Sequence, residues 1–186
     1  MKELFQLKYR RDIWKLFITV PVSMLGGVAE IGVAEGNYSE DLCKMPMPWP
    51  KVYLVDRWQH TKTKGDSNMP QTWHDMNLAQ VQTRTAPFAS RVHILKGNST
   101  DAAHQVPDAS LSLVYVDADH SYRGVKTDCE TWFPKVKKGG FMAFHDYRNP
   151  AYGVKKAVQE FAAANNPTVI DIPEDKDEDA GAYFQC

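Results

Sequence analysis

The sequence predicts an α/β fold with a mostly parallel, seven-stranded sheet and an antiparallel last strand. Seven short apolar runs, rich in β-branched residues, recur along the chain, and helix-compatible stretches separate most of them. Only a short acidic turn, residues 173–181, separates the last two runs. Parallel strands need long crossover connections, whereas a short turn can join antiparallel strands. Helices are therefore expected on both faces of the sheet.

The chain has the size and composition of one globular domain. It has 186 residues, of which 43% are hydrophobic and 24% are charged. Its 22 Lys and Arg residues nearly balance its 23 Asp and Glu residues, so it lacks the basic excess typical of nucleic-acid-binding proteins. We therefore predict a single domain over residues 1–186, with no nucleic-acid partner.

The N-terminal region, residues 1–20, is expected to hold a helix over residues 2–18. Its apolar face would suit a homodimer contact as well as packing on the sheet. The apolar run over residues 16–29 follows a basic stretch, as in a signal peptide, but it is shorter than the ~20 residues that span a bilayer. Three widely spaced cysteines, without a CxxC pair, are typical of reduced thiols. We expect a soluble cytoplasmic protein with no membrane partner.

The remaining elements follow in order along the chain. The predicted strands are residues 28–31, 52–55, 92–95, 111–116, 141–144, 169–172 and 182–184. The predicted helices are residues 37–45, 72–84, 99–105, 121–137 and 151–164. The one long irregular segment, residues 57–71, is a candidate substrate lid, because loops of this length in compact domains are usually functional or disordered.

Ligands of open α/β sheets bind outside the carboxyl ends of the strands, so the residues after each strand are candidates for a site. The first strand leads into Glu30, Gly32 and Gly36. Gly32 permits a sharp turn, and Gly36 removes a side chain where a ligand would approach the next helix. The spacing is GxxxG, and neither a dinucleotide fingerprint nor a P-loop. Such glycines fit a purely structural role equally well.

The second and third strands end in residues suited to a nucleoside. Asp56 can accept hydrogen bonds from both ribose hydroxyls, and its spacing from Glu30 is close to the ~20 residues of a nucleoside-binding unit. Asn98 and Ser99 can hydrogen-bond an adenine edge, while Ser99 can equally cap the following helix. Both roles stay open.

The fourth and fifth strands end in carboxylates and imidazoles. Asp117, Asp119 and His120 follow the fourth strand, and His145 and Asp146 follow the fifth. Adjacent parallel strands would bring these side chains together, and buried Asp residues require partners. The group can hold a divalent cation or can form a His–Asp base.

The segments EIGVAEGNYS, VYLVD, GNS, VDADHSYRGVKTD and GGFMAFHDY, in this order, resemble those of class I S-adenosylmethionine-dependent methyltransferases. The resemblance runs from about Gly26 to Cys186 and implies a Rossmann-like, doubly wound sheet of seven strands. It also implies that S-adenosyl-L-methionine is the cofactor, with Glu30, Gly32 and Gly36 at its methionine part, Asp56 at the ribose, Asn98 and Ser99 at the adenine, and Asp117 next to the bound molecule.

The closer likeness is to small-molecule O-methyltransferases of the catechol, caffeoyl-CoA and macrocin kinds. In these, a metal ion, here expected to be Mg²⁺, is held at the positions of Asp117, His145 and Asp146, although His145 replaces an acid. Catechol-like enzymes place a catalytic lysine where His120 stands, and macrocin-like enzymes place an aspartate where Asp119 stands. The base therefore stays open between these two residues. The likeness implies methyl transfer to the hydroxyl oxygen of a small-molecule acceptor.

Two other functions compete with this interpretation. A nicotinamide-dependent oxidoreductase would share the glycine loop and the ribose acid, but the chain lacks GxGxxG. A non-catalytic nucleoside-binding domain would leave the grouped carboxylates and imidazoles unused, and unused buried charge is costly.

Overall fold

The computed structural model describes Leu7 and residues 9–62, 68–172 and 181–186. Within these residues, seven strands form one sheet in the order β3-β2-β1-β4-β5-β7-β6. The strands are β1 Gly27–Ile31, β2 Val52–Asp56, β3 Val92–Lys96, β4 Leu111–Val116, β5 Val136–Phe144, β6 Ile170–Ile172 and β7 Gly181–Gln185. Strands β1 to β5 pair in parallel, and β7 is antiparallel to both β5 and β6. The predicted fold class and strand order along the chain are confirmed.

Five α-helices lie in the described residues and connect the strands. They are α1 Asn37–Lys44, α2 Gln71–Thr85, α3 Ser99–Ala103, α4 Tyr122–Trp132 and α5 Val154–Asn165. Buried apolar side chains form two clusters, because successive residues of a strand point to opposite faces. Leu54 and Leu113 belong to one cluster, whereas Val55 and Val114 belong to the other. The sheet is therefore covered on both faces, as predicted.

Two helices differ from their predicted bounds by three residues or more at one end. The helix predicted over residues 121–137 ends at Trp132, and a short 3₁₀ segment, Phe133–Lys135, follows it. Pro134 cannot continue an α-helix, because it lacks the backbone N–H and its ring clashes with the preceding turn. The helix predicted from residue 151 begins at Val154, and the N–H of the preceding Gly153 donates to the His120 carbonyl (2.9 Å), which ties this helix start to the segment after β4.

The N-terminal segment packs on the sheet. Residues 2–6 and 8 of the predicted helix lie outside the described residues, and the rest includes a 3₁₀ helix, Arg10–Phe17. Ile13 and Phe17 are buried, and the Phe17 ring packs edge-on against Trp49 and Phe141. The apolar side chains are thus used within the chain, and a homodimer stays a prediction. None of the helices in the described part of the chain is long and apolar enough to cross a membrane.

The strand order reverses between β1 and β4, which places a crevice at their carboxyl ends. The backbone is tightly packed there. Gly32 adopts φ +89°, and a Cβ at this position would lie 2.0 Å from the carbonyl oxygen of Asp117. Only glycine fits this contact, so the turn after β1 lies directly against the end of β4.

Candidate functional site

The loop between β1 and α1 brings the first predicted group together. Glu30 is 2% exposed, and its carboxylate accepts a hydrogen bond from the Ser39 hydroxyl. Gly36 adopts φ +83°, and a Cβ there would lie 2.9 Å from Cγ2 of Val81. Helix α2 therefore closes against the loop, and a side chain at position 36 would not fit without movement.

Asp56, at the end of β2, holds this loop in place. Its Oδ2 accepts hydrogen bonds from the backbone N–H groups of Val33 and Ala34, both at 2.9 Å. Its Oδ1 accepts from the Trp58 N–H at 3.0 Å. A carboxylate offers about four acceptor sites, so about one remains for a ribose hydroxyl. The ribose role stays a prediction, and the structure adds a second role, which is to order the glycine loop.

The segment predicted as a lid is anchored at both ends. Residues 63–67 lie outside the described residues. Trp58 is buried, and its indole N–H donates to the Ala34 carbonyl at 2.8 Å. The amide of Gln71 donates to the Trp58 carbonyl and accepts from the His60 N–H, so it joins the start of the segment to its end. The base of the segment is therefore fixed beside the glycine loop.

The residues after β3 lie next to Asp56, because β3 pairs with β2. Asn98 is exposed, and its amide lies 3.4 Å from a carboxylate oxygen of Asp101. The Ser99 hydroxyl donates to Oδ1 of Asp128 at 2.5 Å and accepts from the indole N–H of Trp132 at 2.7 Å. Ser99 is therefore tied to α4 through its side chain, and the residue that caps α3 is Asn98, whose side chain makes no capping hydrogen bond to the helix backbone.

Asp117, His120, His145 and Asp146 form one cluster at the ends of β4 and β5. Nε2 of His120 lies 3.3 Å from Oδ1 of Asp117 and 3.1 Å from Oδ2 of Asp146. Nδ1 of His145 lies 3.2 Å and 2.9 Å from the same two oxygens. One potential ligand atom from each residue lies within 4.8 Å of all the others. The expected convergence of the two strand ends is observed.

The cluster is electrostatically coupled. Burial raises the pKa of Asp117, but hydrogen bonds and positive charge from His120 and His145 outweigh it and lower the pKa to about 2. Burial lowers the pKa of His145, but the carboxylates of Asp117 and Asp146 outweigh it and raise the pKa above its ordinary value. Two carboxylates and two imidazoles therefore face one another, and this donor set fits a divalent cation.

Asp119 does not join this cluster. Its side chain is exposed, and its Oδ1 accepts a hydrogen bond from the Ser121 N–H at 2.9 Å. A Cβ at Gly124 would lie 2.5 Å from Cγ of Asp119, so the carboxylate rests on the first turn of α4. Of the two predicted bases, the structure places only His120 beside Asp117.

Two contributors to the site escaped the sequence analysis. The Tyr152 ring stacks on His120, with centroids 4.7 Å apart and an interplanar angle of 19°. Its sequence surroundings carry no signal of this contact. Asp128 is the second, and it did leave a signal, because it interrupts the apolar face that Val125 and Trp132 form on α4. A carboxylate on such a face needs a buried polar partner.

The sheet order, the glycine loop and the acidic residue after β2 together define the nucleoside-binding α/β fold of methyltransferases. A family model described as a methyltransferase domain matches residues 29–147, and the chain belongs to this family. The match confirms the resemblance to class I methyltransferases.

Solved structures agree in fold. The O-methyltransferase NovP superposes with a TM-score of 0.68 at 22% identity, covering 94% of this chain and 76% of that one. The calicheamicin methyltransferase CalS11 gives 0.67 at 15% identity, covering 94% and 76%. Fibrillarin of Aeropyrum pernix, solved with S-adenosyl-L-methionine, gives 0.60 at 14% identity, covering 94% and 72%. At these identities the likeness concerns the fold alone.

One curated relative is uncharacterized protein y4gI of Sinorhizobium fredii, which is 29% identical over 115 residues. The match covers 61% of this chain, and the chain spans only 12% of that protein's length. This similarity therefore gives no information about the function of the chain.

Proposed function

We propose that this chain transfers a methyl group from S-adenosyl-L-methionine to a hydroxyl oxygen of a small-molecule acceptor. The observation that carries the proposal is the cluster of two carboxylates and two imidazoles beside the glycine loop. The family supplies the methyltransferase chemistry. The cluster supports an oxygen acceptor, because a hydroxyl must lose a proton when it is methylated and the cluster can receive one.

The cofactor would lie across the carboxyl ends of β1, β2 and β3. Glu30, Gly32 and Gly36 would line its methionine part, Asp56 would bind the ribose, and Asn98 and Ser99 would face the adenine. The tight turn at Gly32 supports this position, because it clears side chains from the switch point.

Asp117, His145 and Asp146 would hold a divalent cation. When bound, such a cation lowers the pKa of a coordinated hydroxyl, as it lowers that of water from 15.7 to about 7. Imidazole ligands suit Zn²⁺ and Fe²⁺, whereas carboxylates suit Mg²⁺ and Mn²⁺. Because His145 supplies an imidazole where the resembled enzymes have an acid, we expect Mn²⁺ to bind more tightly than Mg²⁺, following the general order of affinities for nitrogen-containing sites.

His120 would act as the general base, since its Nε2 lies within the cluster while Asp119 rests on α4. With Asp117 and Asp146 engaged by the cation, Nε2 of a neutral His120 would carry a free lone pair, and the proton of the acceptor hydroxyl would pass to it. The oxygen–methyl bond would form as the methyl–sulfur bond breaks, releasing S-adenosylhomocysteine. The chain would assist by holding oxygen, carbon and sulfur in line.

The first experiment is calorimetry with S-adenosyl-L-methionine and S-adenosylhomocysteine, followed by titration with Mn²⁺ and Mg²⁺. We expect binding of both nucleosides and a Mn²⁺ site that the Asp117→Asn variant loses. The Asp108→Asn variant is the control, because Asp108 is exposed and pairs only with Lys135 among the described residues. Absence of nucleoside binding in the wild type would contradict the proposed function.

The second experiment measures transfer of a labelled methyl group to a panel of catechols, sugar nucleotides and RNA. We expect transfer to a hydroxyl-bearing small molecule, with loss on EDTA treatment. The His120→Asn variant should lose turnover and keep nucleoside affinity. Loss of turnover in Asp119→Asn together with retained turnover in His120→Asn would assign the base to Asp119. Transfer to RNA alone would refute the small-molecule acceptor, and turnover insensitive to EDTA would refute the metal.

A further inference from the structure

The hydroxyl of Ser99 is held in a defined hydrogen-bonding state. A serine hydroxyl has one hydrogen and two acceptor lone pairs. In this structure the hydrogen goes to Oδ1 of Asp128 (2.5 Å), and one lone pair receives the indole N–H of Trp132 (2.7 Å). Within the described part of the chain, one acceptor lone pair is left. Ser99 can therefore accept a further hydrogen bond but cannot donate one.

Ser99 lies where the proposed cofactor would present its base. It follows the turn at the carboxyl end of β3, one residue after the exposed Asn98. The neighbouring Gly97 borders open space, because a Cβ there would meet no atom within 4 Å. Both observed hydrogen-bond partners of the Ser99 hydroxyl, Asp128 and Trp132, belong to α4.

We propose that Asp128 and Trp132 make Ser99 a hydrogen-bond acceptor that selects an adenine base over a hypoxanthine base. This inference rests on the proposed function. Adenine carries an exocyclic amine, which donates, where hypoxanthine carries a carbonyl, which only accepts. A serine held as an acceptor and facing the 6-position of the base complements the amine of adenine and leaves the carbonyl of hypoxanthine unpaired. Asp128 is then a positioning residue that acts on the cofactor through Ser99.

The surroundings of Asp128 support this role. Asp128 is 4% exposed, on the face of α4 that Val125 also occupies. Burial raises its pKa to about 6, the Ser99 hydrogen bond opposes this, and the charge of Asp119 adds to it. The adjacent Cys129 thiol is neutral, because burial raises its pKa as well. Near neutral pH the carboxylate is ionised and can only accept, which fixes the direction of the Ser99 hydrogen.

Acidification reverses the arrangement. A protonated Asp128 can donate to Ser99, whose second lone pair is already used by Trp132. The hydroxyl hydrogen would then be free to point at the ligand, and Ser99 would become a donor. The preference for adenine should therefore weaken below about pH 6, in step with protonation of Asp128.

The experiment compares the affinities for S-adenosylhomocysteine and S-inosylhomocysteine by calorimetry. At about pH 7.5 we expect the wild type to prefer the adenine ligand about tenfold, the equivalent of about 1.4 kcal/mol. Asp128→Leu should lose most of this preference, while Asp128→Asn should keep it, because its amide oxygen still accepts from Ser99. The ratio of two affinities on one variant cancels general losses of packing, which would weaken both ligands alike.

The pH dependence supplies a second readout. At about pH 5 the preference should fall in the wild type and persist in Asp128→Asn. Glu130→Gln, an exposed change on the same helix, is the control and should behave as the wild type. If neither ligand binds the wild type, the proposed function fails. If both bind and the preference is the same in all variants at both pH values, this inference fails alone. Should Asp128→Leu not fold, the wild type and Asp128→Asn decide the question.

Discussion

Replacing Asp128 by asparagine should stabilise the protein at neutral pH. The folded state raises the pKa of this carboxyl from 3.8 to about 6, with burial as the main cause. The folded state therefore binds the proton more tightly than the unfolded state does. Its stability falls as the pH rises from about 4 to about 6, because the buried carboxyl must then be ionised.

The magnitude follows from the shift in pKa. A shift of about two units corresponds to about 3 kcal/mol, at 1.36 kcal/mol for each unit. The side chain is 4% exposed, so solvent screens this energy little. Above about pH 7 the wild type carries the whole cost, and below about pH 4 it carries almost none. Asparagine is neutral throughout and accepts the same hydrogen bond from Ser99.

The assay is urea unfolding of wild type and Asp128→Asn at about pH 7.5 and about pH 4. At each pH, the free energy of unfolding of the wild type is subtracted from that of the variant. This difference should be larger at about pH 7.5 than at about pH 4, by up to about 3 kcal/mol. All other titrating groups are shared, so their effects cancel in this difference. A difference of the same size at both pH values would show that burial does not raise the pKa of Asp128, and would refute the reasoning.

Two further predictions concern the glycine loop. Gly32→Ala should lower the free energy of unfolding by more than about 2 kcal/mol, because its Cβ would lie 2.0 Å from a main-chain oxygen. Gly139→Ala is the control and should cost about 1 kcal/mol, because Gly139 has a similar φ and no such contact. Thermal unfolding of both variants tests this, and equal losses of stability would contradict it. Asp56→Ala should lower the affinity for S-adenosylhomocysteine, which calorimetry measures, and unchanged affinity would remove the ribose role. It should also lower the free energy of unfolding by about 1–3 kcal/mol, because three backbone N–H groups lose their acceptor. Urea unfolding measures this second effect.

The strands were predictable because their signal is local. The run over residues 111–116 is apolar except for Ser112 and includes two valines, as is typical of buried parallel strands, and the observed β4 has the same bounds. The meeting of Asp117 and His145 was predictable as well, because both directly follow neighbouring strands. The contact between them follows from the pairing of β4 with β5, so the neighbouring position of these two strands was the one long-range feature that had to be inferred.

The separation of Asp119 from His120 was not predictable, because it depends on how α4 begins. Ser121 caps the helix, and the preceding turn directs the Asp119 carboxylate to the Ser121 N–H while His120 faces Asp117. The side chains of adjacent residues after a strand point in different directions, and the conformation of the turn decides these directions. The residue pattern does not specify that conformation. The stacking of Tyr152 on His120 escaped for the same reason, because it joins two loops that are distant in sequence.

The two halves of the site are joined through the backbone. The Asp117 N–H donates to the carbonyl of Ile31, the last residue of β1, at 2.7 Å. Gly32, which follows Ile31, lies against the Asp117 carbonyl. The loop that would hold the methyl donor and the cluster that would receive the acceptor proton are therefore one rigid unit at this point. Because methyl transfer demands alignment of oxygen, carbon and sulfur, a fixed contact between these strand ends would limit the error in their separation. The requirement for glycine at position 32 is thus steric, and in the proposed function it would also serve the alignment of the reacting atoms.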